Sequence, residues 1–319
     1  MAVISGIDIG TNTLRLLISD IEEGHFKEIY SERKITRLGE GLSASGSLSD
    51  IAIARNISTL KDFRSIIDRY IIDEIVVAAT SAVREAENGK LFIDLVKRET
   101  GFDIELISGE EEARRTFLGI LAGIDRGVDN IIAIDIGGGS TEFVLGKIGG
   151  IVSTKSIDLG VVKLTERHIK SDPIRRSDLV SMEEEIEAKI KNVIKEIGEI
   201  KGPTLVGTAG TITTLAAMDQ KMEAYNPLRI NNYVLRLTSI ETILSDLAAK
   251  STNERKRIVG LEPGREDIIV AGAAIIMTAM KVMGYDSLIV SDYGLREGLV
   301  IDAYMKRFQH MHTNKRKKL

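Results

Sequence analysis

Two stretches of this chain read alike. Ile7-Asp8-Ile9-Gly10 recurs as Ile134-Asp135-Ile136-Gly137, at an offset of 127 residues. In each copy an apolar, β-branched run ends in an aspartate, a turn of small and hydroxyl residues follows, and a second apolar run resumes. The spacing is far longer than a solenoid period. It predicts a domain duplicated once, with the two turns at equivalent places. Strands first and helices after, twice over, predict an α/β fold with mixed sheets covered by helices. A chain of 319 residues has room for two such domains.

The hydrophobic period supplies the elements. Strands are predicted over 3–9, 14–18, 26–35, 74–79, 103–107, 130–136, 141–145, 151–159, 204–206 and 287–290. Helices are predicted over 49–70, 89–100, 109–122, 161–169, 177–197, 239–249, 266–283 and 294–308, with one more after the turn at 207–211. Residues 80–84 read as a loop.

Composition excludes several classes. The absence of cysteine removes disulfide scaffolds, thiol nucleophiles and thiolate metal sites. Tryptophan is absent and aromatics are 4%, so stacking platforms for single-stranded nucleic acid are scarce. The stretch 306–319 holds six basic residues and no acid, which leaves 37 basic and 47 acidic residues in the body, a net charge of −10. Such a body does not draw in nucleic acid by its field, and a polyanion must be held by local donors and bound cations. The apolar run 268–280 is 13 residues long, short of the roughly 20 a membrane span needs. With no signal peptide visible either, the expected location is cytoplasmic, without membrane or nucleic-acid partners.

The turns carry the chemistry. Asp8, Gly10, Thr11, Asn12 and Thr13 form the first; Asp135, Gly137, Gly138, Gly139, Ser140, Thr141 and Glu142 form the second. Glycines let backbone N–H groups converge on an anion, and hydroxyls add donors. An acid at the strand end would repel phosphate, so Asp8, Asp135 and Glu142 make sense if a divalent cation lies between them and the anion. A third turn, Gly207-Thr208-Ala209-Gly210-Thr211, joins a strand to a helix and offers free N–H donors at the helix start. The run Glu110-Glu111-Glu112 opens a helix just after a strand end, where α/β sites form, although acids there also complement the helix dipole. Arg84, after another strand, suits a phosphate through its planar fork. The four histidines (His25, His168, His310, His312) fall outside every motif, which leaves carboxylates as the bases.

These residues resemble the exopolyphosphatase/guanosine pentaphosphate phosphohydrolase (Ppx/GppA) family, a branch of the actin, sugar kinase and Hsp70 ATPase-core superfamily. The matching stretches are GIDIGTNTLR (6–15), ATSAVR (79–84), ISGEEEAR (107–114), IDIGGGSTE (134–142), GTAGT (207–211) and SDYGLREG (291–298), in family order. The resemblance implies a duplicated ribonuclease H-like fold with an active site in the interdomain cleft. It implies domain I at 1–124 plus 299–312 and domain II at 125–298, leaving a basic, mobile tail at 313–319. The family's catalytic glutamate, the one before Ala-Arg, falls on Glu112. Its cleft acids fall on Asp135 and Glu142, its first-turn contacts on Asn12 and Thr13, and its loop arginine on Arg84. Longer members carry further C-terminal helical domains that this sequence does not include.

The function so implied is Mg²⁺-dependent (or Mn²⁺-dependent) hydrolysis of the terminal phosphoanhydride of inorganic polyphosphate. The alternative within that class is guanosine pentaphosphate, with the tetraphosphate as a further ligand. An ATP-dependent small-molecule kinase and a non-catalytic sensor are readings from other classes. A homodimer is expected slightly ahead of a monomer.

Overall fold

In the computed structural model residues 2–22, 25–125 and 127–316 are described, with side chains except those of residue 25 and residues 308–316. The chain divides into two compact units, one of Met1–Ala122 with Gly294–Leu319, the other Gly123–Tyr293. The division falls a few residues before the expected boundaries. Gly294 goes with the first unit because it packs on Gly119, where a Cβ would lie 2.0 Å from the Gly294 carbonyl oxygen.

The first unit begins with the antiparallel strands β1 (Ala2–Ile9), β2 (Thr13–Glu22) and β3 (His25–Ile35). The helices α1 (Leu42–Ser45) and α2 (Asp50–Ile67) follow, then β4 (Glu74–Ala79), α3 (Ser81–Glu85), α4 (Gly89–Thr100), β5 (Ile104–Leu106) and α5 (Gly109–Gly123). The sheet order is β3-β2-β1-β4-β5, with β4 parallel to β1 and β5 parallel to β4. Helix α2 buries Ala52, Ile53, Asn56, Leu60, Phe63 and Ile67, a stripe at helical spacing, and starts where the Ser49 hydroxyl accepts from Ala52 N at 3.2 Å. That stripe packs with Phe92 and Val96 of α4 against Ile7, Ile9, Leu14 and Leu16. Each such side chain contributes roughly 1.5–3 kcal/mol by leaving water.

The second unit repeats the plan. Its elements are β6 (Asn130–Ile136), β7 (Thr141–Lys147), β8 (Gly150–Ile157), α6 (Val161–His168), α7 (Arg176–Ile197), β9 (Thr204–Thr208), α8 (Ala209–Asp219), α9 (Pro227–Ile230), β10 (Val234–Arg236), α10 (Leu237–Ala248), α11 (Thr252–Arg255), α12 (Ile269–Met283) and β11 (Ser287–Val290). Its sheet order, β10-β11-β9-β6-β7-β8, is that of the first unit with one extra edge strand, β10. The duplicated α/β architecture expected from the sequence is present. The long apolar run becomes α12, buried on every side from Ile269 to Met280, which is why it is apolar all round. No helix among the described residues is long and apolar enough to cross a membrane.

The last helix, α13 (Leu295–Arg316), returns to the first unit. There Val300, Ala303 and Tyr304 cover Ile4 and Leu17, the sheet face opposite α2. It runs beyond the expected end at 308, and of the tail expected at 313–319 only 317–319 lie outside the described residues.

Several boundaries differ from expectation. The helix read over 49–70 stops at Ile67, and the one read from 266 starts at Ile269 because 265–268 form a turn. The 80–84 loop is instead the one-turn helix α3, closed by Arg84 N donating to Thr80 O at 3.1 Å. The short elements α1, α9, α11 and β10 were not expected, since a single turn or a three-residue strand carries too little period to be read.

Candidate active site

In the first unit the carboxyl ends of β1, β4 and β5 lie level, with Ile9 opposite Ala79 and Ala79 opposite Leu106. Three connections therefore leave the sheet along one edge, the place where open α/β sheets build sites. The 10–13 turn closes with Gly10 N donating to Thr13 O at 3.0 Å. A following loop wraps it: Thr36 N and Arg37 N donate to Asn12 O, both at 3.0 Å, and Gly39 N donates to Thr11 O at 2.8 Å. Arg37 takes φ 48°, a backbone state unusual for a residue with a Cβ. Asn12 and Thr13 are buried, and the Asn12 Nδ2 donor has no hydrogen-bond partner among the described groups. Such a donor is costly unless something accepts from it. Asp8, also buried, lies 3.8 Å from Arg15 Nη1.

The second and third connections carry Arg84 and Glu112. Arg84 Nη1 donates to the Ile107 carbonyl at 2.7 Å and lies 3.6 Å from Glu112 Oε2. Glu112 is 9% exposed. Its two neighbours in the acidic run behave differently. Glu111 receives Arg114 at 2.7 and 2.8 Å and Arg115 at 2.6 Å, and the hydrogen bonds from Arg114 and then Arg115 hold its carboxyl at about 2. Glu110 is exposed. Arg114 reaches Asp302 on α13 at 2.6 Å, and Arg115 makes a two-point pair with Glu105 at 2.7 Å each. Glu111 thus fastens the helix that carries Glu112.

The second unit repeats the hydrogen bond that closes the turn. Gly137 N donates to Ser140 O at 2.9 Å, the counterpart of the Gly10–Thr13 bond 127 residues earlier. Gly138 and Gly139 are backed by the start of α6, where Val161 N and Val162 N donate to the Gly137 and Gly138 carbonyls at 3.1 and 2.9 Å. Thr141 Oγ1 donates to Leu159 O. Gly160 permits this approach: a Cβ there would lie 2.2 Å from Gly138 O. Ser140 Oγ is buried with no hydrogen-bond partner among the described groups. Asp135 and Glu142 face each other across β6 and β7, so their side chains emerge on one face. Glu142 is buried and accepts from Ser156 Oγ at 2.7 Å.

The 207–211 turn sits level with this pair, Thr208 being opposite Asp135. Ala209 takes φ 70°, strained for a non-glycine residue, where the chain turns into α8. Thr208 Oγ1 donates to the Tyr293 carbonyl at 2.9 Å, so its proton is engaged within the protein, while Gly210 and the buried Thr211 open the helix. The guanidinium of Arg265 lies on Gly210, where a Cβ would come within 2.0 Å of Nη2. Arg265 is 5% exposed, and its Nε donates to Glu262.

Each unit thus gathers its own share of the expected residues. Asp8, Asn12, Thr13, Arg84 and Glu112 belong to the first; Asp135, Glu142, the 137–141 turn and the 207–211 turn belong to the second. Arg265, Arg37 and Gly160 were missed. Gly160 carried a readable signal, a glycine between a strand and a helix, whereas Arg265 and Arg37 have no local signature.

Asp135 and Glu142 suit a hard divalent cation: Mg²⁺ is commonly held by one or two carboxylates and completes its shell with water and phosphate oxygens. Among the described residues no three His, Asp or Glu side chains converge as an all-protein metal cage.

Two α/β units of one strand order, each ending its central strand in an aspartate followed by a glycine turn, define a duplicated α/β protein. The model of the Ppx/GppA phosphatase family matches residues 17–307. The chain is 38% identical, over 93% of its length, to a bifunctional 3-dehydroquinate synthase/phosphatase of Fusobacterium nucleatum, but spans only 46% of that protein. It is 30% identical to exopolyphosphatase 2 of Mycobacterium tuberculosis, covering 93% of this chain and 97% of that one. Among solved structures, the Ppx/GppA family member of Aquifex aeolicus superposes with a TM-score of 0.82 at 32% identity, covering 96% of this chain and 98% of that one. The chain belongs to the Ppx/GppA phosphatase family.

Proposed function

We propose that this protein is an exopolyphosphatase that hydrolyses the terminal phosphoanhydride of inorganic polyphosphate and releases orthophosphate, with Glu112 orienting and deprotonating the attacking water. The observation that carries the reading is Glu112 itself: a buried carboxylate 3.6 Å from Arg84, on the sheet edge that also carries the unpartnered Asn12 amide. The names of the M. tuberculosis exopolyphosphatase and of the F. nucleatum synthase/phosphatase agree with cleavage of a phosphate group.

Phosphoryl transfer mostly demands positioning and charge neutralisation. Taken by itself, the first unit offers Asn12 Nδ2 and the charge of Arg84 to phosphoryl oxygens. The second, taken by itself, offers Ser140 Oγ, the backbone N–H groups of its glycine turn and the charge of Arg265. Glu112 accepts a proton from water as it attacks phosphorus, and the shortened chain departs as a phosphate anion. Asp135 and Glu142 would hold Mg²⁺, which supplies Lewis-acid neutralisation of the charge on the phosphoryl oxygens. The body's net negative charge favours release of the anionic product once it is hydrolysed.

The test is phosphate release from polyphosphates of graded length, guanosine pentaphosphate and ATP, with and without Mg²⁺, for the wild type and Glu112→Gln. Loss of turnover with retained polyphosphate binding supports the reading. Equal release by the two proteins overturns it, and release from guanosine pentaphosphate alone moves the substrate to the nucleotide.

A further inference from the structure

Arg255 is 1% exposed, and its guanidinium donates to two backbone carbonyls, while the Asp172 and Asp267 carboxylates offset part of the cost of burying its charge. Nε donates to Leu247 O in the last turn of α10 at 2.8 Å, and Nη1 donates to Glu266 O at 3.1 Å. Nη2 has no hydrogen-bond partner among the described groups. Burying a cation this way costs folding free energy that an apolar side chain of similar length would not. The arrangement needs a reason beyond filling space.

The path of the chain supplies one. From Arg255 the backbone runs along α8 from its last turn to its first. Near its start Gly260, at φ 87°, presses on the C-terminal part of α8, where a Cβ would lie 2.5 Å from Ala217 O. At its end Arg265 lies on Gly210 in the first turn. The carbonyl that Arg255 grips, Glu266 O, belongs to the residue directly after Arg265. The Glu266 carboxylate closes the same bend by accepting from Gly264 N at 3.0 Å. The foot of this brace is fixed too: α11 starts in a capping box between Ser251 and Glu254, and Thr252 N donates to Asp172 at 2.8 Å.

We propose that Arg255 is a positioning residue for Arg265, and through it for phosphoryl binding at the 207–211 turn. The proposal rests on the phosphoanhydride reading above. Arg255 touches no substrate; it sets where the Arg265 peptide sits, and an arginine displaced by an ångström loses its two-point geometry on a phosphate.

The experiment is a double-mutant cycle of Arg255→Met and Arg265→Ala in the full chain. It reads the KM and kcat for phosphate release from polyphosphate, and the Kd for inorganic tripolyphosphate by calorimetry. In the wild-type background Arg255→Met is expected to raise KM and Kd about fivefold with kcat within about twofold, Arg255→Lys falling between. In the Arg265→Ala background the same change is expected to move Kd by less than about twofold. Equal factors in both backgrounds, or no change in the wild type, overturn the proposal. If Arg255→Met does not fold, Arg255→Lys in both backgrounds makes the same comparison. A wild type that binds tripolyphosphate yet cleaves no phosphoanhydride would sink the functional reading while leaving the cycle readable on Kd.

Discussion

Arg84 Nη1 reaches two oxygens at once: the Ile107 carbonyl at 2.7 Å and, at 3.6 Å, Glu112 Oε2. The first contact anchors the arginine to the backbone just before α5, and the second sets its charge beside the buried carboxylate. The pair comes from two different connections of the first unit, brought level by the parallel register of β4 and β5.

Replacing Glu112 by Gln keeps the shape and removes the carboxylate that the proposed hydrolysis uses as its base. Turnover of polyphosphate is expected to fall roughly 10²- to 10⁴-fold, the usual worth of a general base, while the Kd for tripolyphosphate changes little. Steady-state phosphate release alongside calorimetry checks both halves.

Glu111 should make stability depend on acid. Its carboxyl sits at about 2 in the folded protein against an ordinary 4.5, so the unfolded chain takes up its proton first as pH falls. The stabilisation is therefore complete above about pH 4.5 and fades as pH drops toward 2. Urea midpoints of the wild type and Glu111→Gln are expected to differ most at pH 6, to differ less at pH 3, and to converge only at about pH 2 and below. A gap that stays constant across that range contradicts the assignment.

Gly160→Ala drives a methyl into the Gly138–Gly139 backbone, which would lie 2.2 Å away. The backbone cannot yield as a side-chain tip does, so a loss of about 1–3 kcal/mol in stability is expected, with weaker tripolyphosphate binding from a displaced turn. Thermal unfolding and calorimetry test the two effects. Gly149→Ala, where a Cβ meets nothing within 4 Å, is the control and should leave both unchanged.

Chelation by EDTA is expected to abolish phosphate release, with recovery on adding Mg²⁺. Asp135→Asn should raise the Mg²⁺ concentration for half-maximal activity by about tenfold, since it removes one of the two carboxylates facing each other across β6 and β7. Activity indifferent to EDTA would remove the metal from the reading.

The repeated turn was determined by sequence alone. Its glycines, hydroxyls and strand-end acids act over a few residues, and φ/ψ preferences and hydrogen bonds at that range are local, so Gly10–Thr13 and Gly137–Ser140 close alike. The strong periods did the same for β4, β6, α4 and α12, up to a few residues at the ends. Tertiary structure decided the rest. The acidic run Glu110 to Glu112 gives no local hint that Glu111 will be taken by Arg114 and Arg115, leaving Glu112 buried beside Arg84. Nor does the sequence bring Arg265 onto Gly210, or Arg255 under the peptide that follows Arg265. Those approaches depend on which helix packs against which, and packing is settled by the whole core at once, not by neighbours along the chain.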